Sequence, residues 1–128
     1  MPQRKTFLPG IAIGIAIFVC GIASGLALAA RGAAEEKAEA KTLLDNQRVT
    51  VTEMTTPAGG RRESYTRPTD QIIVFIDDAD YEAVDASGQK QNRHRVAGEI
   101  IWHNKGEAAP LLVNKGKKPY RNLVVALK

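Results

Sequence analysis

From Phe7 to Ala30 the chain (FLPGIAIGIAIFVCGIASGLALAA) runs 24 residues without a charged side chain, and this run decides how much of the molecule is left to build a water-soluble core. A helix of about 20 residues spans a bilayer core of about 30 Å, so the run is long enough to cross. Arg4 and Lys5 precede it, and residues 1–30 contain no acid. A basic flank of this kind favours an N-in orientation, which places everything after residue 30 outside the cytoplasm. Two readings of residues 1–30 stay open. Ala27-Leu28-Ala29 before Ala30 fits the small-x-small rule of a cleaved signal peptide, whereas the uncharged length exceeds a usual signal core and suits a signal-anchor transmembrane helix. Phe18-Val19 ahead of Cys20 lacks the small residue of a lipoprotein signal. Both readings export the same domain, either anchored on the periplasmic side of a bacterial inner membrane or released into the periplasm or medium.

The segment also accounts for part of the charge. The 128 residues carry a formal net charge of +4, but beyond residue 30 the balance is 16 basic side chains against 14 acidic ones. The surplus therefore speaks to topology, and no nucleic-acid partner is expected. Cys20 is the only cysteine, so the rest of the chain has no thiol for a disulfide, a thiolate metal site or a cysteine nucleophile. Ala33 to Leu44 (AAEEKAEAKTLL) is rich in helix formers and reads as a solvated helical spacer. The expected organisation is export segment 1–30, helical spacer 31–44 and a folded domain 45–128.

Within that domain the pattern is β. Arg48 to Met54 alternates with period two and is β-branched, as a half-buried strand does. Gln71 to Ile76 is a continuous apolar run suited to a strand buried on both faces. Ala79 to Asp85 and Gln89 to Ala97 flank Ala86-Ser87-Gly88 and predict a hairpin turning at Ser87-Gly88. Glu99 to Trp102, Pro110 to Asn114 and Pro119 to Leu127 complete seven short strands at spacings near ten residues, separated by Gly-, Asn- and Lys-bearing turns. Such a series predicts an all-β barrel or sandwich. A domain this small buries only about 60% of its unfolded surface, so its stability is expected to be modest or helped by dimerisation, with a homodimer as the simplest partner.

Two segments carry a family resemblance. Gly59, Tyr65, Arg67 and Gln71, leading into the apolar strand, stand at the spacing of Gly, five residues, His, one residue, His, three residues, Glu. Gly98, Asn104 and Gly106 stand at the spacing of Gly, five residues, Pro, one residue, Gly, with Asn in place of Pro. These segments resemble the paired motifs of the cupin superfamily, small jelly-roll-like β-barrels that typically hold one metal between the motifs. The resemblance spans about residues 43–128 and implies a cupin-type barrel of about seven strands preceded by the N-terminal hydrophobic helix. The family's ligand positions fall on Tyr65, Arg67, Gln71 and Ala108 or Ala109, with its downstream Asn near Asn114. None of these ligand positions is a histidine or carboxylate. First-row divalent metals need converging imidazole or carboxylate lone pairs, and a fixed guanidinium repels a divalent ion. Neither a metal nor any other cofactor is therefore expected.

The remaining chemistry is sparse. His94 lies between Arg93 and Arg95 and reads as solvated, whereas His103 follows Trp102 and could face the barrel interior or its rim. Asp77-Asp78-Ala79-Asp80 lacks the Gly and distant Glu of a calcium loop and reads as an acidic turn. Ser64 has no nucleophile elbow, Gly59-Gly60-Arg61-Arg62 is no phosphate loop, and the basic residues from Lys115 to Lys128 read as a soluble surface. A barrel mouth with Tyr65, Arg67, Gln71 and His103 offers a guanidinium fork, a phenol and an amide for a small carboxylate or phosphate. In the alternative, Arg67 pairs with an internal carboxylate such as Asp70 or Glu99. Three functional readings follow: an exported binding or accessory module docked to a membrane complex through residues 7–30, a small-anion binder through Arg67, and a metal-independent isomerase or hydrolase using Tyr65 or His103. The first is preferred, and no catalytic residue is assigned. Elemental analysis of the purified protein is expected to find far less than one first-row metal per chain; one tightly held metal per chain would overturn the ligand-site argument.

Overall fold

The computed structural model describes residues 36–128, so the export segment and the first part of the spacer lie outside the described residues. Among those residues every regular element is a strand, and no helix is long and apolar enough to cross a membrane. The elements are β1 (Glu39–Asp45), β2 (Val49–Thr56), β3 (Arg61–Arg62), β4 (Tyr65–Thr66), β5 (Gln71–Phe75), β6 (Ala79–Val84), β7 (Lys90–Arg95), β8 (Ile100–His103), β9 (Ala108–Ala109), β10 (Leu111–Asn114) and β11 (Tyr120–Leu127). They form a five-stranded sheet in the order β1-β2-β11-β5-β8, a four-stranded sheet in the order β3-β10-β6-β7, and the short pair β4-β9. All strand pairs are antiparallel.

The seven expected strands are present with ends shifted by one or two residues, and four more join them. The helical spacer is corrected: residues 39–45 form β1, paired with β2 from Glu39↔Thr55 to Asp45↔Thr50 with a bulge between Thr42 and Leu44. Helix propensity over these residues amounts to a few tenths of a kcal/mol per position. The free edge of β2 offers a ladder of backbone hydrogen bonds that outweighs it. β1 is exposed along its whole length, and Glu39, Lys41 and the bulge blunt an otherwise open sheet edge. The other additions, β3, β4 and β9, are two residues each and too short to show a hydrophobic period.

β5 is the second correction. It alternates between buried Gln71, Ile73 and Phe75 and half-buried Ile72 and Val74, so only one face enters the core. Its other face is apolar because it is part of a row. Leu44, Val51, Val125, Ile72 and Trp102 stand in register across all five strands on the side away from the barrel interior. Neighbours along this row shield one another, while Leu44 and Trp102 on the two edge strands remain 49% and 50% exposed.

The core joins the two large sheets. Ile73, Phe75 and Tyr120 come from the five-stranded sheet and Ala79, Tyr81 and Ala83 from the four-stranded one, with Ile101, Leu112 and Val124 packed around them. Phe75, Tyr81 and Tyr120 meet with centroids 6.0–6.3 Å apart, each contact adding about 1 kcal/mol beyond area burial. The motif glycines have a backbone reason. Gly98 (φ 90°) and Gly106 (φ 88°) both sit in the left-handed region that side chains disfavour. Their amides donate to Phe75 O at 2.7 Å and Arg67 O at 2.9 Å, so the turns lock β8 and the loop after it against β5 and the segment before it.

Asn114, at the family's asparagine position, is structural. Its Nδ2 donates to the carbonyls of Thr56, Pro57 and Lys118 at 2.9–3.1 Å, and its Oδ1 accepts from Gly116 N, all with the side chain 2% exposed. Asn114→Ala removes three hydrogen bonds to these carbonyls, of which Pro57 O keeps Gly60 N as a donor, and is expected to cost about 3 kcal/mol, measured by urea denaturation with an unchanged m-value.

Candidate functional site

The barrel encloses a cavity of about 220 Å³ open at one end. Its floor is the aromatic cluster and Ile73, and its wall carries Arg62, Arg67, Arg93, Arg95, His103 and Glu107. Period-two alternation places these side chains. Arg93 and Arg95 register with Tyr81 and Ala79, and Arg62 registers with Leu112, so each faces inward with a core residue. His103 registers with the buried Gln71 across the β5–β8 pair.

Arg67 is the centre of the arrangement. It is 4% exposed, and its Nη1 donates to Gln71 Oε1 at 2.7 Å and to the Tyr65 hydroxyl at 3.2 Å. The Tyr65 hydroxyl in turn donates to Gln71 Oε1 at 3.0 Å. The Tyr65 ring contacts two guanidiniums, with Cζ of Arg62 5.3 Å and Cζ of Arg67 5.6 Å from its centroid, a pair of cation–π contacts. Arg62 also donates Nη2 to Pro110 O at 2.6 Å. Burial lowers the Arg62 pKa from its ordinary value, and the neighbouring charge of Arg67 acts in the same direction.

Neither Arg62 nor Arg67 has a carboxylate partner among the described residues, and the Nε of each is buried without an acceptor. The expected alternative, pairing of Arg67 with Asp70 or Glu99, is therefore corrected. Asp70 accepts from Lys105 N at 2.8 Å, and Glu99 pairs with Arg95 at 3.1 Å, where Arg95 Nε also donates to the Tyr81 hydroxyl. Of the four expected ligand-site residues, Arg67 and His103 line the cavity, while Tyr65 and Gln71 stand behind Arg67 and hold it. The residues missed from sequence are Arg62, Arg93, Arg95 and Glu107. Arg93 and Arg95 share the strand face opposite His94, a signal present in the predicted hairpin; Arg62 rides on a two-residue strand with no pattern to reveal it.

The other motifs are accounted for structurally. His94 is exposed and bonded to Asp80 at 2.6 Å, which raises its pKa. Asp78 caps Ala97 N, and Asp77 pairs with Arg121 at 2.9 Å. The C-terminal basic residues are interleaved with acids, Lys128 lying 2.7 Å from Asp45 and Lys115 3.9 Å from Glu82.

Several solved structures share this architecture. A cupin domain from Bordetella pertussis Tohama I superposes with a TM-score of 0.68 at 19% identity, covering 74% of this chain and 97% of that one. A double-stranded β-helix domain protein from Klebsiella pneumoniae gives 0.57 at 21% identity, covering 73% and 79%. The fold is that of a cupin. The polyketide cyclase RemF from Streptomyces resistomycificus also has this barrel, with a TM-score of 0.57 at 21% identity over 73% of this chain and 68% of its own. No family model and no curated protein matches the sequence.

The metal that cupins typically carry does not suit these residues. The family's ligand positions present a buried guanidinium, a phenol, an amide and the methyl of Ala108 or of Ala109, and Arg67 places a positive charge where a divalent ion would sit. Among the described residues no three His, Cys, Asp or Glu side chains gather at metal-binding distance.

At the cavity mouth, His103 Nδ1 and Glu107 Oε2 are 2.9 Å apart, and Asn104 Nδ2 donates to Glu107 Oε1 at 2.9 Å. These bonds, His103 first, hold the Glu107 pKa down to about 2 from the usual 4.5. The folded value is depressed, so the contact contributes stability above the ordinary carboxylate range and loses it as pH falls from about 4.5 toward 2. A carboxyl-carbon NMR titration is expected to place the Glu107 midpoint near 2, moving back toward 4.5 in His103→Ala.

Proposed function

We propose that this cupin barrel is a binding module for a small anion, with Arg67 as its anchor and Arg62 beside it. The observation that carries the proposal is a pair of guanidiniums, Arg67 buried and Arg62 half-buried, that share one aromatic ring, line one cavity and have no carboxylate among the described residues. A buried charge without a partner is costly, and natural interiors pair such groups. A carboxylate or phosphate entering the cavity would accept from the guanidinium groups that line it and neutralise like charges that otherwise repel. The wall carries four arginines and one glutamate; Arg95 is paired with Glu99 outside the wall, and Glu107 is already engaged by His103 and Asn104. The volume of about 220 Å³ falls below the range of about 300–1,000 Å³ usual for drug-sized ligands and suits a small metabolite.

The setting of this module is part of the proposal. The uncharged run 7–30 behind Arg4 and Lys5 supports export of the domain, tethered to the membrane or released from it, with any membrane complex docking through that run. A purely structural subunit would not explain the buried arginines, which is why the binding reading now stands ahead of it.

A thermal-shift screen with millimolar acetate, pyruvate, succinate and inorganic phosphate tests the proposal. At least one anion is expected to raise the melting temperature of the wild type by several degrees. Arg67→Ala removes the anchor and should abolish the shift, and Arg67→Lys, which keeps the charge but loses the fork, should weaken binding about tenfold or more. Equal response of wild type and both variants, or no response to any anion, rejects it.

A further inference from the structure

The cavity mouth holds a second arrangement that anion binding does not use. The ring of His103 lines the same cavity as Arg67 and Arg62. Its Nδ1 faces Glu107 Oε2 at 2.9 Å. A carboxylate ionised far below neutrality has no proton to give, so it accepts, and Nδ1 carries the hydrogen. In the neutral ring the lone pair then belongs to Nε2, the nitrogen with no partner among the described residues. The carboxylate is itself held, since Asn104 Nδ2 donates to its other oxygen at 2.9 Å and Trp102 Nε1 fixes Asn104 Oδ1 at 2.9 Å. The chain Trp102–Asn104–Glu107–His103 ends on an imidazole of defined tautomer at a cationic cavity. The backbone ties this chain to the anchor: Arg67 N donates to Glu107 O at 3.0 Å and Gly106 N to Arg67 O at 2.9 Å.

We infer that His103 Nε2 is a general base acting on the anion held by Arg67, with Glu107 as its positioning residue, and that the reaction is a proton transfer at carbon in a small oxo acid. The inference rests on the anion-binding reading of the cavity. The substrate carboxylate sits on the guanidiniums, and a C–H bond next to its carbonyl faces the imidazole. The C–H bond breaks, its electron pair moves into the carbonyl to give an enolate oxygen, and the proton goes to Nε2. Glu107 stabilises the imidazolium, while Arg62 and Arg67 stabilise the enolate charge. Return of the proton to carbon completes an isomerisation, tautomerisation or epimerisation, with no oxidant, reductant or further reactant consumed. The exposed His94, paired with exposed Asp80 on the outer face of β7, has a similar hydrogen bond but lies in an open surface depression with Glu82 and Lys115, away from Arg67 and the barrel cavity. That contrast separates a solvated ion pair from an acid–base site.

Hydrogen–deuterium exchange tests the inference on the full chain. Pyruvate, 2-oxobutyrate and acetoacetate are incubated in D₂O with wild type, and loss of their C–H signals is followed by proton NMR against a protein-free blank. Exchange well above the blank is expected for at least one. His103→Gln should lower it by about 100-fold or more while keeping the anion-induced thermal shift, which shows that the variant folds and binds. Glu107→Gln should slow exchange about tenfold or more and move His103 to the Nε2–H tautomer, read from long-range proton–nitrogen correlations; a structural role for Glu107 would leave the tautomer of a folded variant unchanged. Exchange at the blank rate for all three acids by a wild type that still shows the thermal shift overturns the base and spares the anion site. Full exchange activity in His103→Gln, or an Nε2–H tautomer in wild type, overturns it equally. A wild type with neither shift nor exchange loses both readings.

Discussion

Phe75, Tyr81 and Tyr120 lie at centroid distances of 6.0–6.3 Å, and through these rings the two large sheets close on each other. A barrel of this size has few inward positions, and three of them are spent on aromatic rings at one end. What remains at the other end is room. Inward positions beside and beyond the rings carry arginines and a histidine, so the same alternation that builds the core also builds much of the cavity wall. Packing and site are successive layers of the same strands, and the rings that tie the sheets are also the floor beneath the cavity.

The layer above the floor is organised by Tyr65. Its ring contacts two guanidiniums and its hydroxyl bonds both Arg67 and Gln71. Cation–π contacts of this kind are worth about 0.5–2 kcal/mol, well short of what pairing a buried charge with a carboxylate supplies. Tyr65 therefore positions the arginines without neutralising them. A fold that needed Arg67 only as filler would have brought Asp70 or Glu99 to it, yet both are spent elsewhere, on Lys105 N and on Arg95. At the positions that carry the resemblance, a guanidinium, a phenol and an amide are thus joined in one hydrogen-bonded group with no carboxylate in it.

Much of the barrel was legible in the order of residues. Period two found β2, the hairpin of β6 and β7 told its turn through Ser87-Gly88, and Gly98 and Gly106 marked turns that need positive φ. What escaped was whatever depends on a neighbour. β1 carries helix-forming residues and becomes a strand because β2 has a free edge beside it. Ile72 and Val74 look like core from their side chains alone, and only the register row ending at Trp102 shows that they cover an outer face. At the site, the motif spacing located Tyr65, Arg67 and Gln71 but not their division of labour, since which of three adjacent polar groups reaches the cavity is decided by hydrogen bonds over a few ångströms. Arg62 and Glu107 lie on short, patternless segments that pairing with β10 and with the Arg67 backbone brings to the cavity.

The two uncompensated guanidiniums have a consequence for the life of the protein. A ligand that binds the folded chain and not the unfolded one stabilises it by RT ln(1 + [L]/Kd), about 2.7 kcal/mol at a hundredfold excess over Kd. In a domain with only six apolar side chains in its buried core cluster, that is a substantial share of the whole. If the domain is exported as proposed, it meets proteases with no ATP-driven refolding to rescue it. Under the proposed anion binding, supply of the ligand would then govern how long each molecule survives, and abundance would follow its concentration.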